Sequence, residues 1–189
     1  MNTRSLLTGL RFVDSFFPSG GYAYSSGLEA AVQGGAVKNP EELSRFVLES
    51  LTGGMGERDA VAAGLAHGAI VSGILEIALK ADRELEAMKL GRESRVASRQ
   101  MGRQVIRLAA EQSNRHPLIE EYLTAVESDQ TPGHVAVTMG LTLAAAGWSK
   151  TDSIAVFLYQ VATGYVAAAM KLLPVGQREG QRLLDSWLE

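Results

Sequence analysis

Apolar residues recur every three or four positions along most of this chain, which is the spacing of an amphipathic helix. The first stripe predicts a short helix that ends before Pro18. Its members are Leu6, Leu7, Leu10, Val13 and Phe17. No segment alternates apolar and polar residues with the period of two that indicates a half-buried strand, and no repeat or linker divides the chain. The pattern predicts an all-α fold, a single-domain bundle of many short and medium helices covering residues 1–189.

Caps and turn-forming residues set the predicted helix boundaries. A helix that begins near Ser26 is expected to stop at Gly34-Gly35. Asn39 followed by Pro40 is a strong start signal, because a capping amide precedes a proline in the first turn. The pair Gly53-Gly54 is expected to close that helix. The later helices are predicted over residues 57–80, 82–88, 92–112, 117–127 and 134–146, from a cap at Thr151 or Asp152 to residue 173, and over 177–188.

Composition and charge limit the cellular compartments and the classes of partner that are expected for this protein. The chain has 189 residues, a formal net charge of −3 and no cysteine, which excludes disulfides, thiolate metal ligands and a cysteine nucleophile. This charge gives no broad attraction to nucleic acid or to anionic lipid. The N-terminus lacks the apolar core and small-residue cleavage site of a signal peptide, so we expect a cytoplasmic protein.

One apolar segment, residues 154–170, is interrupted only by Gln160 and Thr163. It is shorter than the ~20 residues that a membrane-spanning helix needs, and Gln160 lies near its middle. We therefore expect a buried central helix, with no membrane as partner. A membrane-associated helical protein is the alternative.

Enzyme signatures are weak in this sequence. The run Gly53-Gly-Met-Gly56 precedes a predicted helix, whose N-terminus would attract phosphate. It lacks the Gly-Lys-Ser/Thr of a phosphate-binding loop, and Glu57 and Asp59 would repel phosphate. No Gly-x-Ser-x-Gly turn occurs. The chain is therefore not expected to hydrolyse nucleotides.

The three histidines are far apart in sequence, so a triad or a metal site would require them to converge in the fold. We expect His67 to be packed and His116, which precedes Pro117, to cap a helix. His134 follows Pro132-Gly133 at a helix start and is the one candidate metal ligand. A single imidazole cannot hold a metal ion alone.

Arginines spaced by four form a row on the predicted helix over residues 92–112. We call Arg95, Arg99, Arg103 and Arg107 the arginine ridge. Because each step drifts only ~40° around a helix, the row is continuous. One interpretation is a solvated face paired with Glu93 and Glu111; the other is a docking surface for acidic groups of another protein. Nucleic acid is disfavoured, since aromatic residues are not interleaved with these arginines.

Two segments rich in glycine and proline remain. We call residues 14–29 the knuckle; they read Asp14-Ser-Phe-Phe-Pro-Ser-Gly-Gly-Tyr-Ala-Tyr-Ser-Ser-Gly-Leu-Glu29. Their glycines permit a tight corner, and Ser25 or Ser26 could cap the next helix. We call residues 171–189 the tail, which opens with Lys171-Leu-Leu-Pro-Val-Gly-Gln-Arg-Glu-Gly-Gln181. Each segment is either an ordinary packed connection or a surface that contacts a partner.

The knuckle and the tail resemble the two signature blocks of the urease accessory protein F family. Together with Ser98-Arg-Gln-Met-Gly102 and Gly133-His134, the resemblance spans nearly the whole chain in order. Two departures are Ser19 in place of a valine and Lys171 in place of an arginine. Lysine keeps the charge but loses the planar fork, which argues against a bidentate contact at that position.

The resemblance implies a helical homodimer, not itself an enzyme, that acts as a chaperone in the maturation of nickel-dependent urease. Such proteins bind accessory protein D (called H in some organisms) and, through that complex, the GTPase accessory protein G. The assembly docks on apo-urease, regulates the GTPase and helps nickel reach the active site. Nickel is then handled by the complex, and this chain binds no cofactor stably.

The same resemblance carries partner-binding roles onto matching positions. In the knuckle these are Asp14, Pro18, Gly20, Tyr22, Ser25, Gly27, Leu28 and Glu29. In the tail they are Leu172, Pro174, Gly176, Gln177, Gly180 and Gln181. We add Lys171, despite its departure from the family pattern, and Arg182, which lies on successive turns of the last predicted helix with Gln177, Arg178 and Gln181.

The competing hypothesis is an enzyme with a buried helical site around Lys171 and His134, with Glu29 nearby. A desolvated lysine can act as a base or form a Schiff base. An exposed Lys171 would count against this alternative.

Overall fold

The computed structural model describes residues 2–14, 16–21, 24–112 and 115–187, and all regular secondary structure within these ranges is helical. The prediction of an all-α fold is confirmed. The helices are α1 (Thr3–Val13), α2 (Leu28–Gln33), α3 (Pro40–Ser50), a π-helical segment (Leu51–Asp59), α4 (Ala60–Ser72), α5 (Leu75–Met88), α6 (Arg92–Ala110), α7 (Pro117–Glu127), α8 (Val135–Ala145), α9 (Lys150–Leu172) and α10 (Gln177–Trp187).

The centre of the fold is the closely packed pair α4 and α8. Both helices are apolar on nearly all sides, which is typical of helices buried in the middle of a protein. At Gly140 of α8 an added Cβ would lie 2.2 Å from the Ala63 carbonyl oxygen of α4, so the two backbones touch there. α5, α6 and α9 pack around this pair, and α7 packs against α5 and α6.

The buried apolar residues form two clusters. The first lies around α4 and α8 and includes Phe12, Ile106, Tyr122, Leu141 and Phe157. The second joins α2, α3, α9 and α10 and includes Leu28, Leu43, Tyr165, Leu184 and Trp187. α9 contributes to both clusters and connects them.

By length and composition α9 could cross a membrane. In the fold its inner face, from Phe157 to Ala169, packs into the two clusters. This packing agrees with the central core helix expected from the sequence.

Three predicted boundaries between residues 50 and 90 are wrong. Gly53-Gly54 does not end α3, which continues through the π-helical segment into α4. The helix predicted over residues 57–80 is interrupted at Gly73, which has a positive φ of 73°. Asp82 does not begin a helix but lies buried inside α5. Glycine at 73 permits the left-handed turn that ends α4.

The predicted N-caps of α3 and α7 are confirmed. Asn39 Oδ1 accepts a hydrogen bond from the Glu42 amide at 2.9 Å, as predicted. His116 caps α7, with its Nδ1 accepting from the Leu118 amide at 3.3 Å. For α9 the predicted caps are wrong: Ser149, not Thr151 or Asp152, is the N-cap residue, and its hydroxyl oxygen accepts from the Asp152 amide at 3.1 Å.

Candidate functional site

The knuckle begins directly after α1 and is held by local hydrogen bonds. Asp14 Oδ1 accepts from the Phe16 amide at 2.6 Å, and the corner at Gly20 has a φ of 79°. The side chain of Phe16 is 94% exposed. The knuckle thus presents one large apolar side chain to solvent.

The second half of the knuckle contacts α6 and leads into α2. The Tyr24 hydroxyl donates to Gln100 Oε1 of α6. The Ser25 carbonyl accepts from the Leu28 amide at 3.0 Å, while its hydroxyl is 3.4 Å from the Glu29 amide. Gly27, with a φ of 89°, occupies the N-cap position of α2. Tyr22 lies outside the described residues.

A cavity of about 530 Å³ lies beneath the knuckle. Residues 13–14 and 16–21 form one wall, and α6, α8 and α9 form the others. The helical walls are mainly apolar and include Met101, Val105, Met139, Phe157 and Val161. Its volume lies in the range of small-molecule and anchor-residue pockets.

The tail has one buried face and one exposed face. Leu183, Leu184 and Trp187 of α10 are buried in the second cluster, and Trp187 Nε1 donates to Ser44 Oγ at 3.0 Å. The exposed residues of the tail include Lys171, Pro174, Gly176, Gln177, Arg178, Gln181 and Arg182. Among them are most of the positions that the family resemblance assigns to partner binding.

The arginine ridge is paired with acids of its own chain. Arg95 and Arg99 both contact Glu86 of α5, the first at 3.8 Å. The other two pairs are Arg103 with Asp129, at 2.8 Å, and Arg107 with Glu127, at 3.5 Å. The pairing of the ridge with Glu93 and Glu111, which the sequence suggested, is therefore wrong. The ridge faces α5, α7 and the loop after α7 instead.

Gly102, beside the ridge on α6, admits the close approach of another backbone segment of the same chain. An added Cβ at Gly102 would lie 2.1 Å from the Gly133 carbonyl oxygen and 2.6 Å from Val135 N. The loop before α8 therefore rests directly on α6.

A buried carboxylate, Asp82, organises this loop. Its Oδ2 accepts from the Tyr122 hydroxyl at 2.8 Å, the Thr131 hydroxyl at 2.7 Å and the Gly133 amide at 2.6 Å. Its Oδ1 accepts from the His134 amide at 2.9 Å. Burial, followed by the charge of Asp82, raises the pKa of Tyr122 well above its usual value. α5, α7 and the loop are joined through one side chain.

Asp82 was not among the predicted site residues, although its position in the sequence indicated a buried charge. The residue lies four positions after Ala78 and three before Leu85, both fully buried, so an acid stands within the apolar stripe of α5. A charge in such a stripe requires several donors.

His134 is fully buried, and both of its ring nitrogens are engaged. Nδ1 lies 3.0 Å from Ser98 Oγ, and Nε2 lies 2.8 Å from Glu86 Oε2. Burial lowers the pKa of His134, so the neutral ring donates from Nε2 to Glu86 and accepts at Nδ1 from Ser98. Burial opposes the charge of Glu86, but the contacts with Arg99 and His134 outweigh it and lower the pKa of that carboxyl.

Ser98, His134 and Glu86 have the connectivity of a serine–histidine–acid triad, yet the serine cannot meet a substrate. Ser98 is 4% exposed and His134 0%, so neither side chain reaches solvent. A nucleophile must be open to the reacting group. Within the described residues no three acids or histidines are arranged to hold a metal ion. The arrangement is suited to positioning the loop before α8.

The predicted buried enzyme site around Lys171 and His134 is wrong. Lys171 and Glu29 are exposed, whereas His134 lies wholly inside the fold. His67, in contrast, is packed as expected, with Nε2 2.9 Å from the Trp148 carbonyl oxygen.

Comparison with known proteins gives one consistent family. The sequence model of the UreF family matches residues 37–187, a range that contains the ridge, the buried Asp82 and His134, and α10. A urease accessory protein UreF of Actinobacillus pleuropneumoniae serotype 5b is 31% identical over 175 residues, covering 93% of this chain and 77% of that protein. The UreF of Yersinia enterocolitica serotype O:8 is 30% identical over 184 residues, covering 97% and 80%.

Proposed function

The chain belongs to the UreF family of urease accessory proteins, and from this premise we propose that it is a non-catalytic helical scaffold for urease maturation. The relatives are named as accessory proteins rather than as enzymes, which supports this assignment. The observation that carries it is the division of the molecule: Ser98 and His134, which could do chemistry, are buried, while one face of the tail and Phe16 of the knuckle are exposed.

The proposed partners are other components of urease maturation. The scaffold binds accessory protein D (or H) and, through that complex, the GTPase accessory protein G, and holds both on apo-urease. It regulates the GTPase and the delivery of nickel, which passes through the complex as cargo. We further propose that the chain is a cytoplasmic homodimer.

The tail is the best candidate for the contact with accessory protein D. The buried face of α10 fixes the helix on α3 and α9, so its exposed face is presented in one orientation. That face carries Gln177, Arg178, Gln181 and Arg182. Arg182 is held by Glu179 at 3.3 Å, in a pair whose arginine side chain is 71% exposed and open to a partner's carboxylate.

The test is charge reversal on this exposed face. We expect the double variant Arg178→Glu, Arg182→Glu to fold normally and to lose co-purification with accessory protein D. Both positions are exposed, and interface arginines often carry much of the binding energy. Deleting α10 would be a poorer test, because it would remove Leu183, Leu184 and Trp187 from the core.

The matched control is Arg45→Glu, an exposed arginine on α3. It should leave co-purification unchanged. Equal retention of accessory protein D by the tail double variant and by the control would rule out the tail as the contact surface.

A further inference from the structure

The π-helical segment between α3 and α4, residues 51–59, is the least expected element of the fold. π-helices are rare, occur mostly as single turns and are frequent at functional sites. This one is nine residues long and contains Gly53, Gly54 and Gly56. Glycine is the poorest helix former after proline, so the sequence itself fixes the geometry only weakly.

The π geometry depends on one glycine in particular. An added Cβ at Gly56 would lie 2.6 Å from the carbonyl oxygen of Leu51, five residues earlier. At Gly53 an added Cβ meets nothing within 4 Å. At Gly54 the nearest atoms belong to the side chain of Arg58, which is able to move. Only at Gly56 would a side chain collide with the backbone of the π-helical segment.

The C-terminal end of the segment is pinned in the core. Asp59 Oδ1 lies 2.6 Å from Lys89 Nζ, and both side chains are at most 3% exposed. The Arg58 guanidinium donates to the Met88 carbonyl oxygen at 3.0 Å. Because separating a buried ion pair is strongly unfavourable, this end stays attached to the end of α5.

The N-terminal end is tied to the knuckle through one hydroxyl group. Ser50 Oγ lies 2.8 Å from the hydroxyl oxygen of Tyr165, which in turn donates to the Ser26 carbonyl oxygen at 3.3 Å. Tyr165 is 2% exposed, and Ser26 is a non-glycine residue with a positive φ of 51°. Such a backbone conformation needs support from its surroundings. Tyr165 is therefore shared between the start of the π-helical segment and the end of the knuckle.

We propose that residues 51–59 are a two-state element, π-helical in this structure and α-helical in a second state, that controls the shape of the knuckle. Conversion to the tighter α turn rotates Ser50 relative to the pinned Asp59. Ser50 then leaves the Tyr165 hydroxyl, and the hold of Tyr165 on Ser26 weakens. Through this link, contacts on the knuckle and the register of α3 against α4 influence each other.

The test compares Gly56→Ala with Gly53→Ala in the full chain. Both variants add one methyl group and raise the helix propensity equally, but only the first collides with the Leu51 carbonyl group. We expect Gly56→Ala to give α-helical backbone chemical shifts over residues 51–59. We also expect amide hydrogen exchange at residues 24–28 to be at least about tenfold faster. Gly53→Ala should leave exchange at residues 24–28 as in the parent chain.

A second variant keeps the proposal open to refutation if Gly56→Ala does not fold. Tyr165→Phe removes only the shared hydroxyl, which in the proposal favours the π-helical state. It should therefore speed exchange at residues 24–28 and move the shifts of residues 51–59 toward α-helical values. Unchanged exchange in Tyr165→Phe, or equal behaviour of folded Gly56→Ala and Gly53→Ala, would overturn the proposal. None of these readouts depends on a role in urease maturation.

Discussion

Asp82 shows how one buried charge can hold several elements of a helical protein together. Its carboxylate receives hydrogen bonds from the side chains of Tyr122 and Thr131 and from two backbone amides of the loop before α8. Those amides would otherwise be donors without acceptors inside the fold. The loop's position on α6 therefore depends on this residue as well as on Gly102.

We expect Asp82→Asn to destabilise the protein by about 3 kcal/mol. The amide group offers donors where the carboxylate accepted, so some of the four donors lose their partner while buried. Urea denaturation measures the change. Glu84→Gln, on the exposed side of the same helix, is the control and should shift the free energy of unfolding by less than about 0.5 kcal/mol. Equal effects of the two substitutions would contradict the role given to Asp82.

The lowered pKa of His134 predicts a pH dependence. The folded protein holds the ring neutral, whereas the unfolded chain takes up a proton below about pH 6.5. The unfolded state then binds more protons, so stability falls as the pH drops below that value. Relative to His134→Gln, the parent chain should lose part of its stability advantage between pH 7.5 and pH 5.5.

The histidines that remain in both proteins cancel in this comparison. Urea denaturation at several pH values measures the difference. A stability advantage that grows as the pH falls would mean that His134 is protonated beside Glu86 in the folded state, contrary to our assignment.

At the scale of single helices, the close approach of α6 to the loop before α8 has a measurable consequence. Gly102→Ala would place a Cβ 2.1 Å from the Gly133 carbonyl oxygen, so the backbone must move. We expect a loss of roughly 1–3 kcal/mol in the free energy of unfolding, the usual range for overpacking. Gly164→Ala in α9 meets nothing within 4 Å and should instead stabilise by roughly 0.5–1 kcal/mol. If both substitutions changed the free energy of unfolding in the same direction, this description of the packing would be contradicted.

The elements that the sequence predicted well are those with local signals. Asn39 before Pro40 and His116 before Pro117 start helices through atoms only two or three residues away, so their boundaries were readable. The π-helical segment was not, because glycines usually end a helix and only packing against the rest of the fold keeps this stretch helical. A pattern of residue types contains no information on that packing.

The same distinction between local and distant contacts applies to the candidate site. The knuckle and the tail could be proposed from continuous blocks of sequence. The contact of Tyr165 with Ser26 joins residues 139 positions apart, and the contact of Asp82 with His134 joins residues 52 positions apart. Such pairs become visible only when the chain is folded. The same holds for the ridge, whose acids come from α5, α7 and the following loop.

At the scale of the whole molecule, two apolar clusters connected by α9 enclose the Ser98–His134 pair and leave one face of α10 exposed. The buried Ser98 and His134, with the half-buried Glu86, position a loop, and one face of α10 is exposed. This arrangement suits the proposed role, in which the protein brings other proteins together.

The most direct test of this account measures urease activity in cells that express the urease subunits and the other accessory proteins. This chain is present, omitted or altered. We predict that omission abolishes active urease, that the parent chain and Arg45→Glu restore it, and that the folded double variant Arg178→Glu, Arg182→Glu does not. Full urease activity in cells from which this chain alone has been removed would contradict the account.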